Sequence, residues 1–404
     1  MNRSNTKNIL QTINNDNKEI AYSILLIFFT IFQSIFYLSD IINSIGLKFL
    51  FVSPIIIIIT FYYINYKGRK IKTWVLPLFF ILFFSFIFVA LFHRDFYILY
   101  FPGNVIVSLF FIIILSRKEI ELSIKIGTFI IILFSIGGII AFFSFAGKGI
   151  PEPTSVYLSS SGRSIGYFFT SFGWPQWTPF GYFLRSSAIY DEPGAFSFLI
   201  CFFVVFRDLL KLNRNITILI LFLGLITFSL AHYIFIFLYL IKEIKIKNII
   251  YVVILLIITT YFFITYGNIL IDFLQYSLEN RFMSNSEGLF SNNNRISHMQ
   301  EDLNVISNNN LFTTLFGNYH SNCCNFLYPY AQFGIFGSWV FYLFLLFLLY
   351  QSFKYKNILV FGIFLLWLQR PSIGASGYTF LAALLFVILI NNNNLYRKVI
   401  NPKI

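Results

Sequence analysis

Long apolar stretches alternate with short polar ones along almost the whole chain. Roughly 20 predominantly apolar residues cross a ~30 Å hydrocarbon layer as one helix, and stretches of about that length recur throughout. The pattern predicts an all-α, polytopic membrane protein with about 12 transmembrane helices. The predicted helices are 20–38, 45–64, 74–92, 97–115, 126–146, 193–207, 216–230, 232–241, 249–267, 326–350, 357–369 and 376–391.

One continuous apolar run, residues 216–241, is long enough to be a single helix. Basic residues precede it at Arg214 and follow it at Lys242. Because cytoplasmic loops carry an excess of Lys and Arg, both ends of the run should lie in the cytoplasm. We therefore expect the run to turn back on itself near Ala231-His232, as two short or tilted segments.

With that turn, both termini lie in the cytoplasm and the 29 Lys and Arg divide into 21 inside and 8 outside. Fifteen of the inner residues are Lys, whereas six of the outer eight are Arg. Arg offers a rigid fork for bidentate phosphate binding, so the asymmetry indicates phosphate binding on the outer face. The outer residues are Lys48, Arg94, Lys148, Arg163, Arg185, Arg281, Arg295 and Arg370.

The composition argues against a soluble protein, because 58% of the residues are hydrophobic and only 11% are charged. A net charge of +13 does not indicate a nucleic-acid partner, since the basic residues form brief clusters instead of one continuous stripe. The polar residues 1–19 exceed a signal-peptide n-region, and no cleavage site follows, so the first apolar run should remain an anchor. Residues 1–404 are then one integral membrane domain.

Two outer loops, residues 147–192 and 268–325, are too long to be simple turns. The first is rich in Gly, Pro, Ser and aromatic residues, which predicts irregular structure over a membrane surface. In the second, apolar residues recur at helical spacing and predict an amphipathic helix. Its apolar stripe is Ile296, Met299, Leu303 and Ile306, which turns Arg295, His298, Glu301 and Asp302 towards the other side.

A helix is predicted to start at Pro193, at the outer interface. Glu192 directly precedes it, and Arg185 lies seven residues before Glu192. Proline and acidic residues at a helix start are ordinary capping and dipole chemistry. Alternatively, Arg185 binds an anionic group there, while Glu192 orients a partner or a substrate hydroxyl.

His320-Ser321 also precedes a predicted helix, and its imidazole is either structural or a proton acceptor near neutral pH. Arg370 is either an interfacial side chain or part of a site. His93, His232 and His298 are interpreted as structural. The sequence has no P-loop, zinc-spaced or Asp-x-Asp pattern, so neither a metal nor another cofactor is predicted.

These residues resemble the motifs of the O-antigen polymerase (Wzy-type) family, which is related to the O-antigen ligases. Arg185 and Glu192-Pro193 match an Arg-x-x-Gly-x-x-x-Glu-Pro-like motif in the first loop, with Ala188 where Gly is usual. The second family motif has an Arg-led amphipathic helix, a Gly turn, a His-Asn/Ser pair and Gly-x-x-Gly entering a helix. Here it is matched by Arg295, Phe316-Gly317, His320-Ser321 and Gly334-Ile-Phe-Gly337.

The resemblance implies a GT-C-like glycosyltransferase that uses no nucleotide sugar, metal or other cofactor. Its donor is a glycan on undecaprenyl pyrophosphate, its acceptor is a second lipid-linked repeat unit, and its partners include a chain-length regulator. The active site would face the periplasm of a bacterial inner (cytoplasmic) membrane. We expect His320 or Glu192 to act as the base, and the pyrophosphate to be bound by Arg185, Arg295, Arg163 and Arg370.

Two other functions are compatible with the sequence. An O-antigen ligase would transfer finished glycan to lipid A core with the same chemistry. A lipid-linked oligosaccharide flippase or other transporter could also have twelve helices. Transporters usually hold ionisable residues at the membrane midplane in repeated halves, whereas here charges gather at helix ends and no repeat is visible.

Overall fold

The fold is known from a computed structural model, and its described part is mainly helical. About 85% of the described residues are helical, which confirms a mainly helical fold. Two described helices, Arg117–Phe142 and Tyr328–Lys354, are long and apolar enough to cross a membrane. The structure describes residues 19–27, 30–31, 75–146, 155–158, 164–168, 171–178, 181–190, 192–243, 294–318, 325–369 and 376–400.

Most of the described helices lie close to their predicted positions. The predicted helices 45–64 and 249–267 fall outside the described residues, and so do nine of the nineteen residues of 20–38. The helices are α1 Val75–His93, α2 Tyr100–Ile113, α3 Arg117–Ala146, α4 Pro193–Leu209, α5 Arg214–Leu223, α6 Leu230–Glu243, α7 Asn294–Ser307, α8 Leu311–Phe316, α9 Tyr328–Lys354, α10 Ile358–Gln369 and α11 Ser376–Ile400.

Helix α3 begins at Arg117, well before the predicted residue 126. The backbone N–H of Glu119 donates to Ser116 Oγ (3.2 Å), and the N–H of Ser116 donates to the Glu119 carboxylate. This reciprocal capping box satisfies donors that the helix itself leaves without a partner. The charged first turn was therefore helical, although its polarity had suggested a loop.

Residues 216–241 reverse direction, which confirms the two short segments predicted there. A 3₁₀ turn over Gly224–Thr227 follows α5, and Phe228 then takes a left-handed conformation with φ 46°. The predicted turn position at Ala231-His232 was wrong, since this pair lies within α6. His232 is buried, and its Nε2 lies 2.8 Å from the Leu221 carbonyl oxygen, so its structural role is confirmed.

The two ends of this hairpin meet at one end of the helix bundle, which we call the basic end. Arg214 and Glu243, near the start and the finish of the hairpin, form a 2.6 Å salt bridge. Lys242 pairs with Asp208 at the end of α4. Arg207 is buried there and donates to two threonine hydroxyls and a backbone carbonyl. This is the arrangement that the flanking charges predicted.

The opposite end, which we call the site end, contains the start of α4, the α5–α6 reversal and the first turns of α9. Phe198, near the start of α4, packs against Tyr378 near the start of α11, with ring centroids 5.0 Å apart. It also packs against Trp367 near the end of α10, at 5.7 Å. Phe344 of α9 contacts the same Trp367 at 5.4 Å. Because α10 returns alongside α9, the start of α9 lies at the site end.

The expectation of irregular structure in 147–192 was wrong for the described part of that loop. Its four strands form an antiparallel sheet in the order β1-β2-β3-β4. The aromatic and hydroxyl residues of these strands suit a pleated sheet, and Gly166, Gly173 and Pro175 lie within strands. The strands are β1 Ser155–Leu158, β2 Ser164–Phe168, β3 Ser171–Thr178 and β4 Gly181–Ala188.

Strand β4 lies tightly against helix α3. A β carbon added to Gly138 of α3 would lie only 2.3 Å from the Ser186 hydroxyl oxygen, so glycine is required for this approach. Ser186 in turn shares a 2.7 Å hydrogen bond with Ser171 of β3. The sheet is thereby fixed to the bundle at the strand that carries Arg185.

Candidate functional site

Arg185 connects the sheet to the hairpin reversal. It lies on β4 opposite Trp174 of β3. Its Nε donates to the Thr227 carbonyl oxygen (3.1 Å), and its Nη2 donates to the Phe228 carbonyl oxygen (3.2 Å). A planar guanidinium can reach two neighbouring carbonyls in this way, whereas an ammonium group is a single point charge. Arg185 is therefore already a structural residue, whatever else it binds.

Ala188, the last residue of β4, lies in the left-handed region, with φ 53°. Its N–H donates to Ser171 Oγ (3.0 Å), and its side chain is buried. Tyr190, two residues on, donates from its hydroxyl to the Ile31 carbonyl oxygen (3.1 Å). A left-handed conformation favours glycine, which gives a physical reason for Gly at this position in the motif that the chain resembles.

Glu192 is the residue before α4, and its backbone is extended, with φ −138° and ψ 142°. Pro193 occupies the first helical turn, as the sequence predicted. The Glu192 side chain makes no capping hydrogen bond to that turn. The simple capping interpretation is therefore incomplete, because the half-buried carboxylate is not used as the helix cap.

Gly317 and Gly334 bring the end of α8 against α9. Gly334 lies within α9 but has φ 60° and ψ −163°, so the helix is kinked there. Its missing β carbon would lie 2.4 Å from the Leu315 carbonyl oxygen. The next residue after the Gly317 turn, Asn318, donates from its N–H to the Ala331 carbonyl oxygen (2.9 Å). The glycines of the second motif thus build one compact backbone crossing.

Aromatic rings and His93 attach this crossing to α1. Phe316 stacks on Phe92 (4.8 Å between centroids) and on Phe336 (5.4 Å). The Nε2 of His93 lies 3.0 Å from the Phe316 carbonyl oxygen. His93 therefore has the structural role that the sequence predicted, and it joins the end of α1 to the end of α8.

Helix α7 carries position 295 and docks on the first residues of α9 through a buried polar pair. Asn325 Nδ2 donates to Asp302 Oδ2 at 2.7 Å. Asn325 Oδ1 accepts the N–H groups of Leu327 (2.8 Å) and Tyr328 (3.2 Å), which caps the start of α9. Asp302 is only 1% exposed, whereas the neighbouring Leu303 is 44% exposed. The predicted orientation of Asp302 and Leu303 was therefore wrong.

Three predicted site residues, His320, Arg163 and Arg370, lie outside the described residues. Arg295 lies in α7, of which the backbone is described at that position. The described candidates form two separate groups at the site end. Arg185 bonds to the α5–α6 reversal and stands seven residues before Glu192, while α7 bonds to the start of α9.

An apolar groove of about 240 Å³ runs between α1, α2, α9, α10 and α11. Its walls are almost entirely hydrocarbon and aromatic, and Leu343 on its edge is 55% exposed. Such a groove fits a hydrocarbon chain, because it offers dispersion contacts without hydrogen-bond partners. Residues that line it include Leu82, Leu109, Trp339, Phe344, Trp367 and Phe386.

Asp302 and Asn325 are the residues that the sequence reasoning missed. Periodicity placed Asp302 on the polar side, because a carboxylate normally faces water. No pattern within α7 marks Asp302 as buried, because its partner Asn325 lies outside that helix. No protein-family model matches the chain, and no curated protein or solved structure gives a significant match.

Proposed function

We propose that this chain is a membrane-embedded glycosyltransferase that polymerises lipid-linked surface-polysaccharide repeat units, as an O-antigen polymerase does. The observation that carries the proposal is the common position of both motif regions. The Arg185–Glu192 segment and the Gly317–Gly334 crossing are distant in sequence and lie at the same end of the bundle. The opposite end holds the basic residues expected in the cytoplasm.

In this proposal the donor is a glycan on undecaprenyl pyrophosphate. The acceptor hydroxyl loses its proton to His320 or Glu192, and its oxygen bonds to the anomeric carbon of the donor. The bond from that carbon to the phosphate oxygen breaks, and its electron pair leaves with the pyrophosphate. Arg185 and Arg295 stabilise the charge that develops on this leaving group, with Arg163 and Arg370 as further phosphate-binding candidates.

The apolar groove supports a lipid substrate. Its aromatic wall, with Trp339 and Phe344, suits the isoprenoid chain of the donor or acceptor, while the polar groups of the site end lie outside it. The remaining parts of the proposal follow the same resemblance: about twelve membrane spans, an inner-membrane location, a periplasmic active site and a chain-length regulator as partner.

The test uses the purified full chain in lipid nanodiscs with a synthetic undecaprenyl-pyrophosphate-linked repeat unit and EDTA. We expect a ladder of products, each one repeat longer than the last. Transfer of glycan to added lipid A core without a ladder would indicate the ligase. Movement of the substrate across vesicles without bond formation would indicate the flippase, and no product in any arm would overturn the proposal.

A further inference from the structure

The carboxylate of Asp302 is buried at a position where an apolar side chain would cost less desolvation free energy. It is 1% exposed and lies on the amphipathic helix α7, which packs against α9. Removing a carboxylate from water is costly unless hydrogen bonds compensate. Its bond to Asn325, which is itself only 6% exposed, provides such compensation. The pair therefore fixes α7 on α9 in one orientation, which an apolar contact alone would specify less strictly.

Asn325 makes this contact directional. One side of its amide donates to Asp302, while the other accepts the N–H groups of Leu327 and Tyr328 at the start of α9. The Tyr342 hydroxyl adds a 2.9 Å bond to the Phe326 carbonyl oxygen, one residue away. These hydrogen bonds hold the start of α9 in place, and Asp302 attaches α7 to it.

The face of α7 that carries Asp302 also carries position 295. Seven residues are close to two helical turns, so the two positions lie on one face about 10 Å apart along the axis. The docking of α7 through Asp302 therefore also sets the position of residue 295.

We propose that Asp302 is a positioning residue: by docking α7 on the start of α9 through Asn325, it sets the position of residue 295, the candidate pyrophosphate-binding arginine. This inference rests on the proposed function. Phosphate binding by a guanidinium depends on the angle of its fork as well as on its charge. A small displacement of α7 therefore lowers the rate even when Arg295 is intact.

The test exchanges the two side chains. Asn325→Asp places a second carboxylate against Asp302, but it can still accept the Leu327 and Tyr328 N–H groups, so the start of α9 stays capped. The double variant Asp302→Asn with Asn325→Asp restores a donor opposite an acceptor. Glu301→Gln is the matched control, because it removes an exposed carboxylate from the next position on α7.

Two measurements are made on each variant. Hydrogen exchange of residues 299–307 reports docking without reference to activity, and steady-state polymerisation reports kcat and the KM for the donor. We expect Asn325→Asp to speed exchange and to lower kcat about 10- to 100-fold, with KM changed less, since leaving-group charge develops in the transition state. The double variant should recover both quantities, and Glu301→Gln should match the native chain.

The outcomes separate the two proposals. If the native chain makes no polymer, the proposed function fails, while exchange still reports whether α7 is docked. If Asn325→Asp speeds exchange without lowering kcat, Asp302 docks α7 but does not position the reaction. If the double variant is no better than Asn325→Asp, or if the single change has no effect on either quantity, the pairing is overturned.

Discussion

Gly317 and Gly334 lie backbone against backbone, although seventeen residues separate them in the chain. Both have positive φ, 79° and 60°. A β carbon on Gly334 would lie 2.5 Å from the Gly317 nitrogen, and one on Gly317 would lie 2.2 Å from the Gln332 carbonyl oxygen. Neither distance can be relieved by rotating a side chain, because the obstructing atoms are backbone.

Replacement of Gly334 by alanine should destabilise the fold strongly. At φ 60° and ψ −163° the backbone is in a region essentially restricted to glycine, which costs another residue roughly 1–3 kcal/mol, and the backbone overlap adds to it. The midpoint of thermal unfolding in detergent should fall. The matched control is Gly103→Ala, where nothing lies within 4 Å of the new carbon. Equal midpoints for the two variants would show that the crossing is not a tight one.

Ala188→Gly should stabilise the protein by up to about 1 kcal/mol, because glycine takes positive φ without the steric cost that alanine bears. Ala188→Val should do the opposite, since a β-branched residue at φ 53° is strained and the site is buried. Thermal unfolding midpoints in the order Gly, Ala, Val, from highest to lowest, test this. A valine variant as stable as the native chain contradicts it.

Arg185→Lys should lower both stability and activity, although the charge is kept. Lysine cannot reproduce the fork that holds the Thr227 and Phe228 carbonyls, and loss of such a charge-assisted bond costs about 1.5–3 kcal/mol. The control is Arg117→Lys, whose partner Glu121 lies on the protein surface.

The two effects of Arg185→Lys are separated by expressing the polymerisation rate per folded molecule. A rate that remains far below the native one means that the guanidinium also acts on substrate. A native rate per folded molecule would mean that Arg185 acts only by holding the α5–α6 reversal.

The choice of base is tested by Glu192→Gln and His320→Ala. Glutamine should leave the start of α4 capped as before, because the Glu192 side chain makes no capping bond to that turn. We expect His320→Ala to abolish chain growth while donor binding remains nearly native, since a general base contributes roughly 10²–10⁴-fold to the rate. Near-native growth in His320→Ala together with none in Glu192→Gln would make Glu192 the base.

The helical part of the fold was predictable because apolar runs of fixed length determine it. Helix α1 begins and ends within one residue of its predicted bounds, and flanking charge alone predicted the reversal in 216–241. The position of that turn was not predictable, since it depends on His232 reaching the Leu221 carbonyl. Such a contact joins two helices and leaves no periodic pattern.

The candidate site was predictable only as a set of residues. Sequence identified Arg185 and Glu192 but not the carbonyls that Arg185 binds, because backbone groups carry no residue signal. Asp302 was assigned to the wrong face. The periodicity of one helix does not reveal a hydrogen bond to Asn325, which lies outside that helix. The sheet was missed because Gly, Pro and Ser also occur within its short strands and suggested a loop.

The hairpin of α5 and α6 is shorter than the hydrocarbon layer of a membrane is thick. Its first arm, Arg214–Thr227, is about 21 Å long if fully helical, whereas the hydrocarbon layer is ~30 Å thick. In the proposed topology the hairpin starts at the inner surface, so it would end below the outer one and hold the guanidinium of Arg185, which is bonded to its tip, at that level. If the proposed lipid pyrophosphate binds this group, it must lie deeper than the neighbouring lipid headgroups, so a thinner bilayer should bring the two together more readily.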